Sequence, residues 1–298
     1  MTFGIGYTGA WRKETINKYK EIGAKEVYYP FKFDNNNFNS DKSIKKEFGP
    51  RILPWLEEGF KVHIHTEQQG ERSYPTPTYL GSDTESYDTV ERVKAIIDFM
   101  KELEEEEGEV KGEFGIVEVH STAKSNIPNK AKYEETLIKN LNELSDYAKS
   151  RGYEIGIEYG KENTPFKRDV IESIWNKNKH SSPLNSDVKL IFDVELCYQE
   201  FDKELRYQDP EMELVKFFKD NIDKIVQIHW NNLTKGGKEY IYHRPLFGVG
   251  RIISRKPLEE IAEKAKNKTE SNLWECKGAL YKYKEDLKFL QNYFREDI

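Results

Sequence analysis

The sequence has little cysteine and no long apolar run. Of its 298 residues only Cys197 and Cys276 are cysteines, too few for a disulfide framework, which favours a reducing compartment. No stretch of about 18 apolar residues occurs, which excludes a membrane-spanning helix. The N-terminal segment MTFGIGYTGAW lacks a basic stretch followed by an apolar one. We therefore expect no secretory signal and a cytoplasmic protein.

The sequence also lacks an excess of positive charge and a phosphate-binding glycine loop. Its 47 lysines and arginines face 53 aspartates and glutamates, a formal net charge of -6, which argues against tight non-specific binding to nucleic acid. The segment GIGYTGAW does not have the glycine spacing of a dinucleotide-binding turn. With 37% hydrophobic and 34% charged residues, the composition is that of a soluble globular protein.

What the sequence does contain is a regular alternation of strand-like apolar runs and segments of helical spacing. Strands are predicted at 3–7, 26–31, 60–65, 114–120, 153–159, 188–196, 224–230 and 272–278, and helices at 12–22, 41–58, 85–107, 131–150, 166–179, 210–222, 256–266 and 282–294. This alternation implies a parallel sheet, and eight units in about 300 residues favour one α/β domain, a (β/α)8 TIM barrel with a parallel eight-stranded core. We expect that single domain to span residues 1–298; a doubly wound open sheet is the main competitor.

The fifth to eighth predicted strands each end in a side chain that can bind a metal: Glu158, Asp193, His229 and Glu275. The carboxyl ends of barrel strands meet at one mouth, where active sites are built. Three carboxylates converging there without a cation would repel one another. One imidazole and three carboxylates suit one divalent ion, such as Mn, Co, Mg or Zn, with positions left for substrate or water. The alternative is four unrelated polar residues, each held by a helix N-terminus or an ion pair.

These strand ends resemble those of the xylose isomerase-like TIM barrel superfamily. The resemblance covers about residues 110–278 and is carried by IGIEYG, LIFDVEL, VQIHWNN, FGVGRI and LWECKG, in that order. The superfamily includes sugar and sugar-phosphate isomerases and epimerases, inosose dehydratases and the endonuclease IV type of DNA repair enzyme. In its isomerase and epimerase branch, the glutamates of strands five and eight bind the metal and also move the substrate proton. The resemblance therefore implies that Glu158 and Glu275 are the catalytic acid/base pair and that Asp193 and His229 are ligands only.

The endonuclease branch adds histidines at the ends of strands three and four. The resemblance thus makes His65 and His120 candidates for a second metal ion, zinc, that shares Glu158, or for substrate contacts; alternatively they only line the mouth. A more conservative account also pairs His63 with Glu118 in an internal polar layer. The chain departs from the endonuclease pattern twice. Leu196 stands where that branch has a histidine, and YHR replaces its Asp-x-His before the Gly-x-Gly turn, so a third metal site is not expected.

Five further residues are weaker candidates for substrate binding. Tyr7 and Trp11 follow the first strand and could stack on a sugar ring, although they could equally pack in the core. Lys235, His243 and Arg244 follow the seventh strand, and an arginine there could grip a phosphate with two hydrogen bonds. The alternative for these three is an ordinary solvated surface.

The function we expect is metal-dependent isomerisation or epimerisation of a small sugar, sugar phosphate or related polyol ketone, in carbohydrate metabolism. The alternatives are endonuclease IV-like hydrolysis of abasic DNA and a barrel that binds metal without catalysis. The expected partner is a small sugar-like molecule, with nucleic acid less favoured, no membrane, and a homo-oligomer left open.

Overall fold

The structure is a computed structural model of the 298-residue chain. It describes residues 2–6, 12–31, 41–66, 86–108, 110–120, 130–158, 173–175, 183–203, 208–236, 239–276 and 280–294. Within these ranges, no helix is both long enough and apolar enough to cross a bilayer.

Eight strands close into a parallel barrel, which confirms the predicted fold class. The described residues form ten strands in all: β1 (Gly4–Ile5), β2 (Glu26–Phe31), β3 (Lys61–Thr66), β4 (Glu113–His120), β5 (Glu154–Glu158), β6 (Lys189–Asp193), β7 (Ile225–Trp230), β8 (Asn232–Gly236), β9 (Glu239–Arg244) and β10 (Ser271–Trp274). The order around the barrel is β1-β10-β7-β6-β5-β4-β3-β2, and β8 and β9 form a separate antiparallel pair. The barrel strands are almost entirely buried, as expected for parallel strands covered on both faces.

Helices connect most of these strands. The helices of the described residues are α1 (Lys13–Glu21), α2 (Asp41–Glu57), α3 (Ser86–Glu107), α4 (Lys130–Lys149), α5 (Val194–Lys203), α6 (Pro210–Asn221), α7 (Arg255–Ala265) and α8 (Lys284–Phe294). All but α5 begin and end within two residues of a predicted helix. The predicted helix at 166–179 lies largely outside the described residues.

The sequence-based prediction is wrong at two places after the sixth strand. The predicted strand 188–196 ends at Asp193, and the chain continues directly as α5. The cause is an N-cap: Asp193 Oδ1 accepts a hydrogen bond from the backbone N–H of Leu196 at 2.8 Å, the arrangement that starts a helix. The second miss is the β8–β9 hairpin, which lies where the sequence pattern predicts neither a strand nor a helix.

The chain divides into two compact units, and the expectation of a single domain stays a prediction. The terminal unit comprises Met1–Tyr28 and Leu190–Ile298, and the central unit comprises Tyr29–Lys189.

In the terminal unit, β10 lies between β1 and β7. A Cβ at Gly4 would lie 2.5 Å from Glu26 Cβ and 2.6 Å from Leu273 Cδ2, so β1 needs glycine to fit between its neighbours. At the end of β7, Trp230 packs edge to face against Phe289 of α8, with ring centroids 5.2 Å apart. Apolar burial of this kind is the main term that holds the unit together.

In the central unit, β4 lies between β3 and β5. The helix α4 packs against β5 and carries a stripe of fully buried residues at three- and four-residue steps, Leu137, Leu141 and Leu144. The register places His65 beside Glu118 and His120 beside Glu158. The pairing of the strands thus brings four titratable side chains to the carboxyl ends of β3, β4 and β5.

Candidate metal centre

In the terminal unit, three of the predicted ligands converge at the strand ends. We call Asp193, His229 and Glu275 the terminal cluster. Asp193 and His229 are register partners at the ends of β6 and β7, and Glu275 directly follows β10. His229 Nδ1 lies 3.2 Å from Glu275 Oε2 and 3.9 Å from Asp193 Oδ2. One imidazole nitrogen therefore faces two carboxylate oxygens.

A hydrogen-bonded chain behind His229 fixes the orientation of its ring. The Nε2 atom of His229 lies 3.3 Å from Gln227 Oε1, and Gln227 Nε2 donates to Ser271 Oγ at 3.0 Å. The hydroxyl of Ser271 in turn donates to Glu26. Because an amide oxygen only accepts hydrogen bonds, Nε2 carries the proton. The lone pair of Nδ1 is then directed at the carboxylates, which is how outer residues prepare a histidine for a metal ion.

Hydrogen bonds to both of its carboxylate oxygens fix the position of Asp193. Its Oδ2 accepts a hydrogen bond from Asn231 Nδ2 at 2.8 Å, while its Oδ1 caps α5 through the N–H of Leu196. The N-terminus of a helix carries partial positive charge, which favours an ionised carboxylate there. Leu196, a departure from the endonuclease pattern, thus supports Asp193 through its backbone.

Several carboxylates lie around Cys276, the residue that follows Glu275 of the terminal cluster. Burial raises the pKa of the Cys276 thiol well above its ordinary value, and the negative charges of nearby carboxylates raise it further; in order of effect these are Asp286, Glu195, Glu275 and Asp193. A site with this charge attracts a cation.

In the central unit, a second group of candidate ligands meets. We call His65, Glu118, His120 and Glu158 the central cluster; all four are buried. The Nε2 atoms of His65 and His120 lie 2.8 Å apart, and Glu118 Oε1 lies 3.1 Å from His65 Nε2. On the other side of its ring, His120 Nδ1 lies 2.9 Å from Glu158 Oε2. His63, two residues before His65, accepts a hydrogen bond from the N–H of Ile116 through Nδ1.

Both clusters have the donor chemistry of a divalent-metal site. Ligands placed about 2.1 Å from one ion in a tetrahedral arrangement lie about 3.4 Å from each other. In the terminal cluster the facing atoms are 3.2 and 3.9 Å apart, and in the central cluster His65 Nε2 lies 2.8 Å from His120 Nε2 and 3.1 Å from Glu118 Oε1. Small shifts would bring either set of atoms into coordination, whereas Glu158 contacts the other nitrogen of the His120 ring. Mixed imidazole and carboxylate ligands suit Zn, Mn, Co or Fe, whereas carboxylates with water suit Mg.

The weaker sequence candidates fall at different places. Tyr7 and Trp11 lie outside the described residues. Lys235, on β8, is exposed, and its ammonium lies 5.9 Å from the centre of the Tyr240 ring. His243 and Arg244 end β9; His243 approaches Glu195, with Nδ1 3.2 Å from Oε1. Their assignment to substrate binding stays a prediction.

Several supporting residues were missed by sequence reasoning. Glu118 was assigned to a polar layer with His63, and Asn231, Gln227 and Glu195 were given no role. Glu118 could have been found, since it lies two residues before His120 on the same strand face. The contact between Asn231 and Asp193 depends on the tertiary structure and leaves no spacing signal.

Comparison with known proteins identifies the fold. No protein family model matches the sequence, and no curated protein matches it. Solved structures do match over nearly the whole chain. A D-psicose 3-epimerase, determined in the presence of D-fructose, has a TM-score of 0.60 and 13% sequence identity, with 99% of this chain and 100% of that chain covered.

Two further solved structures show the range of proteins with this fold. An AP endonuclease, family 2, from Brucella melitensis has a TM-score of 0.57 and 12% identity, covering 99% of this chain and 100% of that one. A xylose isomerase-like TIM barrel protein from Mycobacterium smegmatis, in complex with magnesium, has a TM-score of 0.56 and 14% identity, covering 97% and 89%. These likenesses show that the chain shares the TIM barrel fold of these three proteins.

Proposed function

We propose that this protein is a divalent-metal-dependent isomerase or epimerase that acts on a small sugar, sugar phosphate or related polyol ketone. The observation that carries the proposal is the convergence of Asp193, His229 and Glu275, with His229 Nδ1 directed at both carboxylates. Glu158, the last residue of β5, is proposed as the fourth ligand, as the resemblance of its strand end implies.

The burial of the four residues supports different roles for them. The side chains of Asp193 and His229 are fully buried, whereas that of Glu275 is 21% exposed. We assign Asp193 and His229 to holding the ion and Glu275 to meeting the substrate. Glu158, whose side chain is 3% exposed and which contacts His120, is assigned as the second proton-transferring carboxylate.

The chemistry requires these parts together. A bound divalent ion would polarise a substrate carbonyl and stabilise the charge that develops when the neighbouring proton is removed. A carboxylate oxygen of one glutamate takes that proton, and the other glutamate returns a proton to the substrate. His120 Nδ1, 2.9 Å from Glu158 Oε2, can hold or release a proton at that glutamate.

The decisive experiment measures bound metal per chain, by elemental analysis of protein purified without chelators. Asp193→Ala should lose the metal and keep the fold by circular dichroism. Asp193 is also a helix cap, so Asp209→Ala is the matched control: Asp209 Oδ1 caps α6 by accepting from the Met212 N–H at 3.0 Å and lies outside both clusters. Full metal content in Asp193→Ala would rule out the proposed site.

Activity is tested separately, by exchange of substrate protons with solvent deuterium across a panel of ketoses, aldoses and their phosphates. Glu275→Gln should abolish exchange, because an amide cannot accept the proton. Metal binding without exchange of any substrate would support a barrel that binds metal but does not catalyse.

A second candidate function is metal-dependent phosphodiester hydrolysis on abasic DNA. The observation that favours it is the central cluster, whose two imidazoles and two carboxylates could hold a second ion, zinc. Two neighbouring ions can stabilise both the attacking and the leaving oxygen of a phosphodiester. The direct test is cleavage of a duplex with one abasic site, and an intact duplex after prolonged incubation with metal-loaded protein would exclude this function.

A further inference from the structure

The second strand of the β8–β9 hairpin ends in an unusual backbone conformation. The pairing of β8 with β9 shifts in register between Asn232 and Thr234 of β8. On β9, His243 has a φ of 53°. Among the described residues it is the one non-glycine residue with positive φ. Such a conformation is unfavourable for a residue with a Cβ, so the surrounding structure must hold it.

The buried carboxylate of Glu195 holds this conformation. Its Oε2 accepts a hydrogen bond from the backbone N–H of His243 at 2.8 Å, and its Oε1 lies 3.2 Å from His243 Nδ1. Glu195 is itself tied to the terminal cluster, because its own N–H donates to Asn231 Oδ1 at 3.0 Å and Asn231 donates to Asp193. The side chain of His243 remains 41% exposed.

Arg244, the next residue, is tied to the other side of the cluster. Its backbone oxygen accepts a hydrogen bond from Cys276 Sγ at 2.9 Å, and Cys276 directly follows Glu275. The Nε atom of Arg244 is buried and has no hydrogen-bond partner among the described residues. A guanidinium is always charged, and leaving one of its donors buried without an acceptor costs stability.

We propose that His243 and Arg244 form a binding site for an oxyanion carried by the substrate, a phosphate or a carboxylate group. The inference rests on the proposed function, and such an anion site limits the substrate to a sugar phosphate or a sugar acid. A planar guanidinium matches two oxygens of either group, and the anion would supply the acceptor for Nε. Glu195 acts as a positioning residue, since it fixes the backbone that presents both side chains.

The test is isothermal titration of the purified protein with inorganic phosphate and, separately, with acetate. Bound metal is counted in the same samples, because phosphate can also bind a metal ion directly. Arg244→Gln should weaken binding of the preferred anion about tenfold or more. Arg244→Lys should restore only part of that affinity, because lysine keeps the positive charge but lacks the paired N–H donors of the planar guanidinium. Preference for phosphate indicates a sugar phosphate, and preference for acetate indicates a sugar acid.

Two further variants separate this role from general effects of charge and folding. Lys268→Gln makes the same charge change at an exposed lysine that pairs with Asp223 and should bind anions as the wild type does. His243→Gly suits the left-handed backbone and keeps the N–H that bonds Glu195, yet it should bind the anion more weakly.

Equal affinity of wild type and Arg244→Gln, with both folded by circular dichroism, would overturn the inference. So would the absence of any phosphate or acetate binding by the wild type. Neither result would change the metal content measured for the proposed function. If that measurement found no bound metal, the titrations with phosphate and acetate would still show whether Arg244 binds an anion. The two proposals can therefore fail independently.

Discussion

The imidazoles of His65 and His120 meet edge to face, with their Nε2 atoms 2.8 Å apart and their ring centroids 4.7 Å apart. At this distance one nitrogen must donate a proton to the other, or a cation must lie close to both. Glu118 Oε1 lies within 3.1 Å of His65 Nε2 and 3.8 Å of His120 Nε2. The pair therefore either shares a proton beside a buried carboxylate or binds a second metal ion.

A count of metal ions distinguishes these two states. If the central cluster binds an ion, the wild type should contain about two metals per chain, and the His65→Ala, His120→Ala double variant should contain about one. If the histidines only share a proton, both proteins should contain the same number. Elemental analysis after purification without chelators makes the measurement, and His63→Ala is the control for loss of a buried histidine.

Replacing Gln227 with leucine should weaken metal binding without removing a ligand. The change leaves His229 Nε2 without its acceptor, so the ring loses its fixed orientation, and such outer-residue changes typically cost about 10- to 100-fold in affinity. Competition with a chromogenic chelator gives the Kd. Gln199→Leu makes the same change at a residue that contacts Tyr242 and should bind metal normally; an equal loss in both variants would contradict the role of Gln227.

Gly115→Ala should destabilise the central unit. A Cβ at this position would lie 2.6 Å from Nδ1 and Cε1 of the His63 ring, and overpacking of a buried site costs about 1 to 3 kcal/mol. Gly49→Ala is the matched control, because its Cβ would meet only Lys45 Cγ at 3.9 Å, and alanine is favoured over glycine in a helix by about 0.5 to 1 kcal/mol. Urea unfolding should therefore move in opposite directions for the two variants.

The stability of the protein should depend on pH through Asp286. Burial raises the pKa of this carboxyl above its ordinary value, although hydrogen bonds from Trp274, Leu246 and Phe247 oppose the shift. Because the folded state binds the proton more tightly than the unfolded chain, stability falls as the pH rises from about 4 through the raised pKa, by about 1.4 kcal/mol per unit of pKa shift.

The comparison of wild type with Asp286→Asn isolates this effect, because asparagine does not titrate. In urea unfolding at a series of pH values from about 4 to 7, the stability of the wild type relative to the variant should fall with increasing pH. A constant difference across the series would show that the carboxyl has the same pKa in both states. Asp209→Asn, at the cap of α6, controls for loss of an exposed carboxylate.

The sequence determined the repeating architecture and placed the candidate ligands near the ends of four strands. Apolar runs alternating with helical segments predicted the barrel, because strands covered on both faces must be continuously apolar. Glu158, His229 and Glu275 could be found as polar residues at the ends of such runs. Asp193 was also identified, although its strand was predicted to continue to residue 196, since an N-cap depends on one hydrogen bond that residue pattern alone does not reveal.

Contacts between distant segments were decided by the tertiary structure. Asn231 meets Asp193 across 38 positions of sequence, Ser271 meets Glu26 across 245, and Glu195 meets His243 across 48. Strand register and the hairpin bulge set these distances, and neither is encoded in local spacing. The chain's own pattern thus specified which residues reach the carboxyl ends of the strands, whereas three-dimensional packing decided which atoms face each other there.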